Sequence, residues 1–445
     1  MPLPDTDPWT LLAPLQADGV RLMAWSSPSG AQRFVAVGAV AESRPEGPER
    51  FDEAREWWRG FEGPNTLTTD LNGSPDESNA PLCLAGFAFR EDEARTRAWE
   101  AWGDGALCIP EMVVWRDEEG TEVTFIVDAH GADWRDSVSV LHQQLKIWMA
   151  RAEEAAITPA QGASVVESGE AHRQWCDGVA SAQAQMAKGQ LQKVVLARST
   201  AFTPAGTQHF DPLGTATALR DRQTRSTTFL IRRRDGQAFL GSSPEVLVSL
   251  QQGQVNTVAL AGTRKRGTGP EDGALGEALM GSEKDQTEHA LVAAAIVEAL
   301  EPYVSDVALP ATPELVCHPD VQHLRTGITG VLRDPATIFD LVATLHPTPA
   351  VGGLPREQAM HWLNNNEPLD RGWYAGPIGW INASGDGEFV VAIRSVLMAP
   401  TTAAAFAGCG LIADSVPEDE WEESQIKLQT VRQGLAVAAR ASAER

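Results

Sequence analysis

The feature that most constrains the fold is a run of apolar, strand-like segments joined by turns too short to hold a helix. Val246–Leu250 and Gln254–Ala261 meet across Gln252-Gly253, and Gly376–Asn382 meets Glu388–Met398 across Gly385-Asp386-Gly387. Such close spacing fits antiparallel hairpins and excludes parallel crossovers at these points. Further strands are expected at Ala31–Val40, Pro81–Arg90, Ala106–Trp115, Glu122–Asp128, Gln192–Thr200, Thr227–Arg233, Ala238–Gly241 and Ala403–Ile412. Helical apolar spacing marks Ser137–Ala156, His172–Gly189, Ser282–Val304, Thr337–Thr344, Arg356–Asn364 and Pro417–Leu435. The order is not a strict strand–helix alternation, so the expected class is α+β with mostly antiparallel strands.

Residues 1–156 are poor in motifs and are expected to contribute strands to the same fold as a catalytic region at 165–440. The boundary is placed at 157–168, and Asn72–Ala80 reads as a polar loop. The chain has 60 acidic and 36 basic residues, a net charge of −24. That excess argues against a nucleic-acid partner and an anionic membrane surface. An anionic substrate would therefore need a locally basic or metal-holding pocket. The five cysteines form no CxxC pair, as in a reducing compartment. No signal peptide or membrane span is evident, and a cytoplasmic monomer is expected.

Seven polar motifs follow one another over roughly half the chain, from Lys193 to Ser415. They are KVVLAR (Lys193–Arg198), GSSPEVL (Gly241–Leu247), LAGTRKRG (Leu260–Gly267), SEKDQTEH (Ser282–His289), QHLRTGITG (Gln322–Gly330), LHPTPAVGG (Leu345–Gly353) and AGCGLIADS (Ala407–Ser415). Read alone, most have ordinary explanations. Lys284/Glu288 and Glu423/Lys427 are four apart, as in solvated ion pairs on a helix. Lys193 could lie at a strand edge, and Glu245 could be a turn acid. His323 and His346 could be hydrogen-bonded core histidines.

Taken together and in this order, the motifs resemble those of the chorismate-using enzymes, and LHPTPAVGG resembles their isochorismate synthase branch. The resemblance implies a large two-sheet β-sandwich flanked by helices, the fold shared with anthranilate synthase component I. It implies that chorismate is the substrate and Mg2+ the cofactor, with Glu288 and Glu423 as metal ligands and Glu420 close by. Mg2+ suits that set, being a hard cation served by carboxylates, water and an anionic substrate group. Lys193 would be the general base that activates water, and Glu245 the general acid that protonates the departing hydroxyl, which requires a raised pKa. Ala261, Gly262, Thr263, His323, His346, Arg394, Gly408, Gly410 and Lys427 would form the substrate pocket. Arginine suits a carboxylate bidentately, and glycines let backbone N–H groups approach an anion.

Ala261 carries a further implication. Aminodeoxychorismate synthases place a nucleophilic lysine there, and alanine cannot attack, so water is left as the nucleophile. Salicylate synthases usually have threonine where this chain has Ala350. The amidotransferase-linked synthases (anthranilate or aminodeoxychorismate synthase component I) need a glutaminase partner, which this reading does not require. The pathway, menaquinone or catechol siderophore, is left open.

Overall fold

The computed structural model describes residues 2–3, 6–61, 81–91, 96–127, 134–154, 163–166, 169–205, 208–267, 269–435 and 437–438. Among them lie two large antiparallel sheets, of 12 and 10 strands, with helices against their faces. The expected α+β sandwich is the fold observed.

The 12-stranded sheet includes, in spatial order, Met112–Arg116, Arg33–Val37, Leu22–Ser26, Thr227–Arg232, Ala238–Ser243, Ser395–Ala399, Thr402–Leu411 and Lys193–Pro204. Its strands are apolar on both faces, and the side-chain period of two explains why. Met23, Trp25, Phe34, Ala36, Phe229 and Phe239 point into the space between the sheets. Their neighbours Leu22, Ala24, Val35, Val37, Leu230 and Leu240 join a second core under helices Leu12–Ala17, Trp134–Glu154, Pro212–Arg222 and Pro417–Gly434. Across the sandwich, Trp380 of the 10-stranded sheet meets Trp115 at 5.4 Å and Phe34 at 6.4 Å between ring centroids. Such buried rings dominate core energetics.

Strands from the motif-poor part enter both sheets. Leu22–Ser26 pairs with Thr227–Arg232, and Pro81–Phe87 pairs with Pro377–Asn382. Within the expected boundary segment, Ala163–Val166 is itself a strand, paired with Ala201–Pro204. The expected loop at Asn72–Ala80 lies outside the described residues.

Two expected strands are each two strands that belong to different sheets. Ala106–Trp115 divides into Gly105–Ile109 and Met112–Arg116, with Pro110 at the break, where a ladder N–H is missing. Glu388–Met398 divides into Gly387–Val391 and Ser395–Ala399. Arg394 therefore does not lie within a strand. It sits in the crossover, at φ 52°. The strands Leu22–Ser26 and Val321–Leu332 and the helices Pro212–Arg222 and Pro270–Met280 were not expected. Both helices begin with Pro at the first position, a start signal that the sequence did offer.

Candidate active site

Two crossovers between the sheets build one wall. Ser243-Pro244-Glu245 leads from Ala238–Ser243 to Val246–Gln251, and Ala392–Arg394 leads from Gly387–Val391 to Ser395–Ala399. They are tied together. The Ser242 N–H donates to Arg394 O (3.2 Å), and the Val391 N–H donates to Glu245 O (3.0 Å). The Ser243 hydroxyl donates to Val391 O (2.6 Å). Glu245 and Arg394 thus emerge together where a strand changes sheet.

The Glu245 carboxyl is 4% exposed and accepts the Thr348 hydroxyl at 3.3 Å. Burial pushes its pKa up to about 7, against the pull of Thr348, Lys193, Arg394 and Lys427. A carboxyl in this setting can hold a proton near neutrality.

Lys193 opens the strand Lys193–Pro204, and its Nζ donates to Glu288 Oε1 at 2.8 Å. Gly410, on the paired strand Thr402–Leu411, makes the room: a Cβ there would sit 2.9 Å from Lys193 Cε. Glu288 comes from helix Glu283–Leu300, whose first turn is capped by the Ser282 hydroxyl accepting from the Asp285 N–H. On helix Pro417–Gly434 the spacing 420, 423, 427 puts Glu420, Glu423 and Lys427 on one face. Lys427 Nζ donates to Glu423 Oε1 (2.7 Å) and Gly408 O (2.8 Å), and Ser415 Oγ donates to Glu420 Oε1 (2.8 Å). Burial, then repulsion from Glu423, pushes Glu420 up to about 7.

A β-bulge forms the roof. The register between Gln254–Lys265 and Val321–Leu332 slips between Ala261 and Thr263, with Gly262 at φ +72°. The bulge re-aims the backbone, so Ala261, Gly262 and Thr263 all line the cavity. Opposite, His323 Nδ1 lies 3.0 Å from Thr263 Oγ1, while its buried Nε2 has no protein partner. Burial, then Arg394, holds the His323 pKa well below the ordinary value, so the ring is neutral at pH 7 and its Nε2 is free for a ligand.

These walls enclose about 200 Å³. Lys193, Glu245, Ala261, Gly262, Thr263, Glu288, His323, Arg394, Gly410, Glu420, Glu423 and Lys427 all line it. Two expected substrate contacts do not. His346 is buried away from the cavity, its Nε2 2.8 Å from Phe89 O, where it anchors the LHPTPAVGG segment. Gly408 faces Tyr374 and serves Lys427 through its carbonyl. Lys284, Asp285, Ile393 and Ser415 line the cavity and were not expected to. Lys284 and Asp285 could have been found, since they precede Glu288 by about one helical turn.

Oxygen donors suited to a hard cation converge here, since the carboxylates of Glu288, Glu420 and Glu423 all line one cavity. Among the described residues, the ligating atoms found within 4.8 Å of one another are those of Cys409, Glu420 and Glu423. Glu288 shares the cavity but is outside that tight cluster, being held by Lys193. Cys409 is a soft donor, and its thiol donates to Glu420 O at 3.3 Å.

The family model for chorismate binding enzymes matches residues 1–436. The chain belongs to this family. It is 36% identical over 415 residues to the isochorismate synthase MenF of Bacillus subtilis (strain 168), covering 92% of this chain and 87% of that protein. It is also 36% identical over 414 residues to the salicylate biosynthesis isochorismate synthase of Pseudomonas aeruginosa, covering 93% and 84%. The solved structure of MenF, the menaquinone-specific isochorismate synthase from Escherichia coli, superposes with a TM-score of 0.77 at 26% identity, over 98% of this chain and 92% of that one. Among the described residues, no helix is long and apolar enough to cross a membrane.

Proposed function

We propose that this protein is an isochorismate synthase that converts chorismate to isochorismate. The observation that carries the mechanism is the placing of Lys193 and Glu245 in one cavity whose third position, Ala261, has no nucleophile. Lys193 takes a proton from water as its oxygen bonds to one ring carbon. The ring double bonds shift, the C–O bond two carbons away breaks, and Glu245 gives its proton to the leaving hydroxyl. One water is consumed and one released. Proton return from Lys193 to Glu245, through solvent, resets both groups. Arg394, Lys427 and the neutral His323 Nε2 bind and orient the dianionic substrate in this wall.

Glu288, Glu420 and Glu423 would hold Mg2+, which when bound neutralises a substrate carboxylate. The protein works as a single chain, without a glutaminase, and as a monomer in the cytoplasm. The acidic surface and sparse cysteines support that setting. The product serves menaquinone or catechol-siderophore synthesis.

Turnover in H2-18O tests the chemistry. Water attack places solvent 18O in the new hydroxyl of isochorismate. Product that keeps only 16O would remove Lys193 as a base acting on water.

A further inference from the structure

The strand that begins at Lys193 has an incomplete edge. On one side Thr402–Leu411 pairs with it from Val194 to Phe202. On the other, Gly353–Leu354 pairs only with Lys193 and Val194, and Ala163–Val166 begins pairing at Ala201. Between them a buried ion pair takes the place of a strand. Arg371 is 1% exposed and Glu367 5%, joined by Arg371 Nε to Glu367 Oε1 (2.6 Å) and Nη2 to Oε2 (2.7 Å). Arg371 Nη2 also donates to Val195 O (2.6 Å), and Glu367 Oε2 accepts the Ala197 N–H (2.8 Å). Arg371 Nη1 reaches Val351 O (2.9 Å), and the guanidinium lies 4.1 Å from the centre of the Phe89 ring.

Val351 belongs to the LHPTPAVGG segment, which touches the Glu245 carboxyl and the backbone of the Lys193 strand. Thr348 donates to Glu245. Ala350 lines the cavity. Gly352 O accepts the Val195 N–H at 2.9 Å. We infer that Glu367 and Arg371 are positioning residues for isochorismate formation, clamping the Lys193 strand to the segment that holds Glu245 and so setting the two proton-transfer groups relative to each other. This rests on the isochorismate synthase reading. Arginine is required because one planar fork must serve a carboxylate and two carbonyls at once. Neither residue touches the cavity, so their effect falls on turnover rather than on substrate binding.

The test pairs Arg371→Lys with the double variant Glu367→Met/Arg371→Met. Apolar replacement of a whole buried ion pair is often tolerated by the fold. Expected are folded proteins with near-normal KM for chorismate, faster amide exchange at Val195 and Ala197, and kcat lowered about 100-fold, the cost of a misplacement of about 1 Å. Wild-type kcat in the folded double variant would overturn the proposal and leave the pair a stabilising element only. If the double variant does not fold, Arg371→Lys decides in the same way. Wild-type protein that makes no isochorismate would instead fail the functional reading, and unchanged amide exchange at Val195 and Ala197 would still overturn the clamp.

Discussion

Lys193 Nζ lies 2.8 Å from Glu288 Oε1, so the proposed base and a proposed metal ligand hold each other. Glu288 has a single negative charge to offer both partners. Occupation of the site by Mg2+ would compete with Lys193 for it. Lys193→Met is therefore expected to cut turnover by about 100- to 10 000-fold, the usual worth of a positioned base. The same change should tighten Mg2+ binding about tenfold, equivalent to ~1.4 kcal/mol, while Glu288→Gln weakens it. Calorimetric titration with Mg2+ alone reads both. Weaker metal binding by Lys193→Met would contradict the competition.

The pKa of Glu245, raised to about 7, predicts an alkaline limb in the rate. An acid catalyst must carry its proton. The protonated fraction is high below pH 7 and drops about tenfold per pH unit above it. The kcat/KM profile, which reports the free enzyme, should fall as pH rises through about 7. Glu245→Gln should abolish that limb together with most of the activity.

Gly410→Ala tests the space left for the base. The added Cβ would meet Lys193 Cε at 2.9 Å, and the flexible lysine must move. The expected result is a folded protein with kcat reduced about 10- to 100-fold. Unchanged kcat would show that the position of Lys193 tolerates the shift.

Gly353→Ala meets a stiffer obstacle. Its Cβ would lie 2.4 Å from the Lys193 carbonyl oxygen, at a φ of 145°. Backbone strain of this type costs about 1–3 kcal/mol, and the clash adds to it. Denaturant unfolding should show a lower midpoint. Wild-type stability would contradict the close packing of this segment on the Lys193 strand.

The sandwich was legible because its strands are short apolar runs and several of its turns are marked by glycine. Where a strand changed sheets, the sequence misled. Glu388 to Met398 reads as one strand, yet Arg394 ends a crossover between two strands of different sheets. Nothing local distinguishes an apolar residue facing one sheet from the next residue facing another. The cavity residues were readable from their motifs, with His346 the clearest exception. A histidine beside LHPTP resembles a ligand contact, but Phe89 O, distant in sequence, takes its Nε2. The Glu367–Arg371 clamp was not read as a unit, because its partners Val195, Ala197 and Val351 are backbone groups without a side-chain signature.

The most direct measurement is incubation of the purified protein with chorismate and Mg2+, without ammonia or glutamine, followed by chromatographic separation of products. Isochorismate as the sole product is the predicted result. Salicylate with pyruvate, or anthranilate or aminodeoxychorismate formed only once ammonia is added, would contradict the account and redirect it to the wall formed by Ala350 or by Ala261.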